Sequence, residues 1–165
     1  MCFTNRTTGS GIASVMATPG KAFRYHIMNK DDGGYWAAGS NDGISTTELG
    51  QPGKPVLAYG SDVGNFLFDQ RADLFRGYVK VAANVTGKRR RAVAYTESRD
   101  LIAWPAEPKL ILTPDHFDDF DSSWVTNFYG MPVVQIADVF VGLLWVFRAT
   151  DPDGYWFRLR MNIMA

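Results

Sequence analysis

The chain has 165 residues, of which 46% are hydrophobic and 14% aromatic, and its 17 basic residues equal its 17 acidic residues. This length and apolar content supply enough material for one hydrophobic core, which argues against intrinsic disorder. A formal net charge of zero gives no sign of the strongly basic surface by which proteins bind nucleic acids or anionic membranes. We therefore expect a soluble protein whose partners are neither nucleic acid nor membrane.

The sequence lacks the residues that several kinds of site require. Cys2 is the single cysteine, and His26 and His116 have no histidine or cysteine near them in sequence. We therefore expect no disulfide framework and no metal site built on sulfur or imidazole ligands. Residues 1–20 lack the pattern of a signal peptide, and the longest apolar run, at 139–147, is too short to cross a bilayer.

Short runs rich in Val, Phe, Tyr and Trp, separated by turn pairs such as Asp32-Gly33 and Thr86-Gly87, predict an all-β chain. No long window shows the periodicity of an amphipathic helix. In chain order, we predict strands at 11–16, 23–28, 34–39, 64–68, 75–82, 90–96, 130–136, 139–148 and 155–161. The spacing of the turns predicts antiparallel meanders.

The meanders repeat along the chain. Two Ser-x-Asp elements, at 40–42 and 98–100, lie 58 residues apart, and each follows a predicted strand pair. Each leads into a proline-containing stretch that ends in an apolar outer strand, at 55–57 and at 108–112, and a third copy begins at 139–147. We expect the Ser and Asp side chains to accept hydrogen bonds from nearby backbone N–H groups and so to fix the turn.

This repeat predicts the antiparallel four-stranded blades of a β-propeller. The chain would form a single partial propeller domain of about two and a half blades, with units at approximately 11–60, 61–120 and 125–165. An incomplete propeller leaves an open blade edge of apolar sheet, which favours self-association.

Three segments carry a family resemblance: residues 98–104 (SRDLIAW), residues 108–115 (PKLILTPD), and the pair 128–134 (FYGMPVV) with 141–146 (VGLLWV). They resemble the five-bladed β-propeller glycoside hydrolases of the invertase, levanase and arabinanase type, in glycoside hydrolase families 32 and 43. The resemblance implies hydrolysis of glycosidic bonds in an oligo- or polysaccharide, without a cofactor and with carbohydrate as the partner.

The family's catalytic carboxylates stand near the starts of the innermost strands, which correspond to residues 11–17, 61–69 and 124–132 here. The resemblance therefore implies Asp62 as a carboxylate beside the channel and Asp69 as a supporting acid. It implies Asn127 and Tyr129 as polar contacts to the sugar, with Asp121 as a further substrate-binding residue. Trp124, in a polar loop just before the third innermost strand, is the candidate for stacking on a sugar ring, with core packing as the alternative. The family's general-acid glutamate has no counterpart, because Glu48, Glu97 and Glu107 all fall near outer strands.

Two charged segments invite other interpretations. The four aspartates between 115 and 121 fit either a cation site of oxygen ligands or a solvated loop, and we favour the loop because it lacks the spacing of a calcium-binding motif. The basic run 88–91 enters a strand, where alternation would place Arg89 and Arg91 on one face and Arg90 on the other. We interpret this run as a solvated hairpin rather than a phosphate site.

The sequence leaves three functions open. The first is glycoside hydrolysis, and the second is a non-catalytic propeller that binds carbohydrate or protein. The third is an inactive fragment of a longer propeller.

Overall fold

The computed structural model describes residues 13–31, 33–85, 87–119, 124–149 and 160–163. These residues form the strands β1 (Ala13–Ala17), β2 (Tyr25–Asp31), β3 (Gly34–Ser40), β4 (Thr47–Leu49), β5 (Gly64–Asp69), β6 (Leu74–Val85), β7 (Lys88–Ser98), β8 (Lys109–Leu112), β9 (Val125–Gly130), β10 (Val133–Ile136), β11 (Val139–Gly142), β12 (Trp145–Ala149) and β13 (Arg160–Ile163). The predicted strand at 155–161 lies mostly outside the described residues.

The strands are arranged in antiparallel sheets. Sheet 1 has the order β1-β2-β3-β4 and sheet 2 the order β5-β6-β7-β8, so both follow the chain. Sheet 3 has the order β13-β12-β9, and β10 and β11 form a two-stranded hairpin. The prediction of an all-β, antiparallel chain is confirmed. The described ranges contain no helix, and so none that is long and apolar enough to cross a membrane.

Sheet 1 ends its third strand in a side-chain-locked turn. The hydroxyl oxygen of Ser40 accepts a hydrogen bond of 2.9 Å from the N–H of Gly43. Oδ1 of Asp42 accepts bonds of 2.8 Å from the N–H groups of Ile44 and Ser45. The side chains therefore satisfy backbone donors that the end of the sheet would leave unpaired.

Sheet 2 ends its third strand in the same turn. The hydroxyl oxygen of Ser98 accepts a bond of 3.0 Å from the N–H of Leu101, and Oδ1 of Asp100 accepts bonds from Ile102 and Ala103 at 2.9 and 2.8 Å. The predicted turn-fixing role of the Ser-x-Asp element is confirmed in both copies. The sequence repeat therefore corresponds to a repeat of structure.

The predicted outer strand at 55–57 is wrong, because the fourth strand of sheet 1 is β4, at Thr47–Leu49. Leu57 instead forms an isolated bridge with Tyr35 and is buried in the core. Gly34 permits this approach: its φ is 139°, and a Cβ there would lie 2.5 Å from the carbonyl oxygen of Leu57.

The predicted strands at 130–136 and 139–148 are also wrong in their extents. In the first region Gly130 ends β9 and Val133–Ile136 form β10. The second region divides into β11, which pairs with β10, and β12, which pairs with β9. The chain changes sheets at Leu143, whose N–H donates a 2.9 Å bond to the carbonyl of Pro132. Apolar content alone does not reveal this break, because both strands and their connection are apolar.

Buried side chains join the sheets. One cluster lies between sheets 1 and 2 and consists of Met16, Met28, Tyr35, Ala37, Leu57, Phe66, Phe75, Val79, Ala94 and Leu101. Another, of Val93, Phe128 and Val146, lies between sheets 2 and 3. Strand β1 packs against β5 and β9 packs against β7. Sheet 2 therefore lies between sheets 1 and 3. Its strands β6 and β7 contact β9 at the place where the candidate site opens.

Candidate functional site

A cleft opens between β6 and β7 of sheet 2, the segment before β5, and β9 of sheet 3. Its volume is about 420 Å³, within the range of roughly 300–1,000 Å³ typical of small-ligand pockets. We call it the cationic cleft, and its lining consists of Tyr59, Gly60, Ser61, Lys80, Val81, Ala82, Arg89, Arg90, Arg91 and Asn127. Four of these residues are lysine or arginine, and none is aspartate or glutamate.

Asp62 lies beside this lining, just before β5. Its Oδ1 forms a salt bridge with Nζ of Lys80 and accepts a 2.6 Å hydrogen bond from the hydroxyl of Ser61. The Lys80 side chain is 5% exposed and that of Asp62 is 53% exposed. A buried cation is thus paired with a carboxylate that reaches solvent.

The Asp62 carboxyl group stays ionised over a wide pH range. Burial alone would raise its pKa, but hydrogen bonds from Lys80 and Ser61, the charge of Lys80 and a bond from Tyr129 together hold that pKa far below its usual value. A carboxylate in this state can stabilise developing positive charge, but its low pKa makes it a weak proton acceptor. It does not hold a proton to donate at neutral pH.

Tyr129, on β9, contacts Asp62 through its hydroxyl group. The hydroxyl donates a 3.0 Å hydrogen bond to Oδ2 of Asp62. The ring is covered by cations, since Nζ of Lys80 lies 3.7 Å and the guanidinium carbon of Arg91 lies 5.4 Å from its centroid. The structure therefore brings Tyr129 and Asp62 together, as the resemblance implied for residues around one sugar site, but it leaves the ring little room to stack on a sugar.

Asn127, also on β9, holds two sheets together. Its Oδ1 accepts a 2.8 Å hydrogen bond from the backbone N–H of Arg91 on β7, and its Nδ2 donates a 3.3 Å bond to the carbonyl of Val125. The residue is 1% exposed. Its amide therefore fixes the wall of the cationic cleft.

Arg90 is buried, and the interpretation of the basic run as a solvated hairpin is wrong for this residue. It is 1% exposed, and its two terminal nitrogens donate bonds of 2.7 Å to the two carboxylate oxygens of Asp119. Nη1 also donates a 3.0 Å bond to the carbonyl of Thr126. The two-pronged geometry of the guanidinium group matches a carboxylate, which explains why arginine is found at this position.

The loop that contains Asp115, Asp118 and Asp119 supplies the carboxylate that binds Arg90. Asp119 also accepts a 2.8 Å bond from the N–H of Thr126, and Asp118 accepts a 2.9 Å bond from the N–H of Asp115. Within the described ranges, no three His, Cys, Asp or Glu side chains gather as a metal site requires. The carboxylates of Asp118 and Asp119 therefore accept hydrogen bonds from nearby backbone N–H groups and from Arg90.

Asp69 lies at the opposite end of β5 from Asp62 and is 4% exposed. Its Oδ2 accepts bonds of 3.0 and 2.7 Å from Arg76, and its Oδ1 accepts bonds from the N–H groups of Arg71 and Ala72. A six-residue strand spans roughly 20 Å, whereas paired glycosidase carboxylates stand about 5–9.5 Å apart. The structure does not bring Asp69 and Asp62 to one glycosidic bond.

The remaining predicted site residues are placed as follows. Trp124 is half-buried just before β9 and does not belong to the lining of the cationic cleft. Asp121 lies outside the described residues. Tyr59, which the sequence did not predict, lines the cleft, and its hydroxyl is fixed by a 2.8 Å hydrogen bond with Thr96.

Sequence reasoning missed Lys80 and Tyr59. Lys80 is a single lysine within an apolar strand. The residues around it in sequence do not indicate that its side chain packs toward another sheet. Tyr59 follows an irregular segment, so no periodicity predicts its orientation.

Comparison of the chain with protein-family models, curated proteins and solved structures finds no match.

Proposed function

We propose that the protein is a glycoside hydrolase-like β-propeller that holds an oligo- or polysaccharide at the cationic cleft. Asp62 is the ionised carboxylate beside the scissile bond. The observation that carries the proposal is the hydrogen bond from Tyr129 to Asp62, because the family resemblance had singled out both residues for one sugar site from separate parts of the chain.

The sheet arrangement supports the propeller part of the proposal. Sheets 1 and 2 are consecutive four-stranded meanders with the same turn after their third strands. Their first strands, β1 and β5, pack against each other, and Ser14 of β1 accepts a 3.1 Å bond from the N–H of Phe66 on β5. Blades of a propeller place their first strands together around an axis in this way.

The chemistry of the site supports a role for Asp62 that needs a negative charge. In glycoside hydrolysis one carboxylate attacks the sugar or activates water, while a second carboxyl group donates a proton to the leaving oxygen. The low pKa of Asp62, in which bonds and charge from Lys80 outweigh burial, keeps the carboxylate ionised, as attack on the sugar requires, but makes it a weak base toward water.

Carbohydrate binding without hydrolysis is the second candidate. It is favoured by the absence of Asp and Glu from the described lining of the cationic cleft, since the proton donor is then not supplied there. The two candidates share the sugar-binding cleft and differ in whether a bond is broken.

Reducing-sugar release from levan, inulin, arabinan and pectin, combined with saturable binding to their oligosaccharides, tests the proposal. Asp62→Asn should reduce release by about 100-fold or more, because an amide neither attacks carbon nor accepts a proton. Asp42→Asn is the matched control, since Asp42 is a carboxylate engaged in a turn of sheet 1.

Release that is unchanged in Asp62→Asn contradicts the assignment of Asp62. Saturable binding without any release supports the binding module instead. Neither binding nor release on any of these polysaccharides contradicts both candidates.

Self-association through the exposed sheet edge remains part of the proposal. Strand β8 is the outer strand of sheet 2, and Leu110, Ile111 and Leu112 are exposed on it. An exposed apolar edge strand is a template for pairing with another chain. Light scattering should show a mass that rises with protein concentration, and a constant monomer mass contradicts this.

A further inference from the structure

His26 is a buried histidine on β2, at the contact between sheets 1 and 2. Its ring meets the ring of Phe23 edge-on, with 5.8 Å between the centroids, and lies tilted against the ring of Phe75 on β6 at 5.2 Å. The ordinary pKa of histidine is close to neutral pH, unlike that of the other ordinary side chains. A modest fall in pH can therefore place a charge between the two sheets.

The hydrogen bonds of Thr18 determine which ring nitrogen of His26 carries the proton. Oγ1 of Thr18 donates a 2.8 Å bond to the carbonyl of Phe23 and lies 2.6 Å from Nδ1 of His26. A hydroxyl has one proton to donate, and a carbonyl can only accept. Nδ1 is therefore the donor to Thr18, so Nε2 has the free lone pair and binds the proton when the pH falls.

Lys21, in the turn between β1 and β2, ties sheet 1 to sheet 2. Its Nζ forms a 2.5 Å salt bridge with Asp73, in the turn between β5 and β6, and lies 3.5 Å from the carbonyl oxygen of Arg99. The same Nζ lies 5.9 Å from the centroid of the Phe75 ring, on which His26 also packs. One aromatic ring thus contacts both the tie and the histidine.

The surroundings of His26 oppose a positive charge on its ring. Burial lowers the pKa of His26, and the charge of Lys21 lowers it further. The neighbours of His26 on the adjacent strands are Met16 of β1 and Gly39 of β3, which carry no charge. The carboxylate of Asp73 acts on the histidine through its salt bridge with Lys21. Because the pKa is lowered in the folded state, acid favours a state in which the ring is exposed, beginning as the pH falls below the ordinary value.

We propose that His26 is a pH-sensitive switch at the contact between sheets 1 and 2. Protonation of Nε2 adds a second cation to the apolar surface that Lys21 already occupies, and the turn 18–24 separates from sheet 2 to admit water. The switch lies at the end of sheet 2 that carries Asp73, whereas the cationic cleft lies at the end that carries Ser61. Its test is therefore separate from that of the carbohydrate proposal.

Two measurements on the whole chain test the switch. Nitrogen-15 NMR of the ring nitrogens reads the tautomer and the pKa of His26. Hydrogen–deuterium exchange between about pH 7.5 and 5.5, corrected for the intrinsic effect of pH on exchange, reads the opening of segment 18–26. His26→Gln removes the titrating ring and keeps a polar side chain. His116→Gln is the matched control, since His116 is the other histidine of the chain and is exposed.

We expect His26 to titrate below the ordinary value for histidine and to carry its neutral proton on Nδ1. Protection of segment 18–26 should fall by about threefold or more across this pH range, while protection of β6 and β7 stays constant. His116→Gln should keep this response, and His26→Gln should lose it.

A pKa of His26 at or above the ordinary value overturns the switch, and so does protection of segment 18–26 that does not change with pH. A response that His26→Gln retains belongs to another group and also overturns the switch. An equal loss of protection in every strand contradicts a local opening. If His26→Gln does not fold, the titration and the exchange of the unsubstituted chain still decide between these results.

Discussion

The hydroxyl of Tyr129 donates a 3.0 Å hydrogen bond to Asp62 across 67 positions of sequence and from one sheet to another. The same carboxylate is paired with Lys80, whose ammonium group lies over the ring of Tyr129 at 3.7 Å. The three side chains therefore form one unit in which each holds the other two. A substitution of any one of them should therefore alter the contacts of the other two.

The pair of Lys80 and Asp62 should show strong coupling in stability. Asp62→Asn leaves the buried ammonium group of Lys80 without its counter-charge. We expect a loss of about 1–3 kcal/mol in the free energy of unfolding, less than for a fully buried pair because Asp62 is half-exposed. Lys80→Met combined with Asp62→Asn should recover part of this loss, as measured by urea unfolding. Additive effects of the two substitutions contradict the coupling.

The pair of Arg90 and Asp119 should respond unequally to removal of its two members. Asp119→Ala leaves a buried arginine charge, which costs about 3–5 kcal/mol. Arg90→Met replaces the buried cation by an apolar chain of similar length, while Asp119 keeps its bond from Thr126. We expect Arg90→Met to be the milder change in urea unfolding. A greater loss in Arg90→Met than in Asp119→Ala contradicts this assignment.

Leu101 and Gly43 occupy the same position of the two Ser-x-Asp turns, and both have positive φ, 67° and 75°. A Cβ on Gly43 meets nothing within 4 Å, so Gly43→Ala should destabilise by about 1 kcal/mol through backbone strain alone. Leu101 is fully buried, so Leu101→Ala should cost about 2–5 kcal/mol through lost packing. Leu101→Gly loses this packing and the Cβ atom as well, but it relieves the strain. Thermal melts should show Leu101→Gly to be at least as stable as Leu101→Ala, and the opposite order contradicts the strain.

The turn of sheet 1 should contribute to acid sensitivity. Hydrogen bonds from the N–H groups of Ile44 and Ser45 lower the pKa of Asp42 to about 2. A lowered folded-state pKa means that the contribution is present above the ordinary value near 4 and is lost as the pH falls through about 2. Asp42→Asn should therefore flatten the decline of the melting temperature between those limits. An unchanged acid profile contradicts this.

The sequence predicted the parts of the fold that depend on local chemistry. The Ser-x-Asp turns were predictable because their bonds join residues within a few positions of each other. The hairpin of β6 and β7 was predictable from a turn pair between two apolar runs. Leu57 was misassigned because its partner is Tyr35, and no local pattern distinguishes an outer strand from a segment that folds back onto the core.

The candidate site was predictable only in part for the same reason. Asp62 and Tyr129 were named through the family resemblance, and the structure joins them. Lys80 and Arg90 matter to the site because they are buried and paired with Asp62 and Asp119, respectively. These partners are distant in sequence. A basic run in sequence does not reveal which of its members enters the interior.

Hydrogen–deuterium exchange with each oligosaccharide that binds tests the central claim most directly, because it locates the carbohydrate site. Binding should slow backbone exchange in segments 59–63, 79–82 and 88–92, which contain most of the lining of the cationic cleft. Exchange in the groove formed by Leu74 and residues from Glu97 to Pro105 should be unchanged. Protection confined to that groove, with none at the cationic cleft, would contradict the claim.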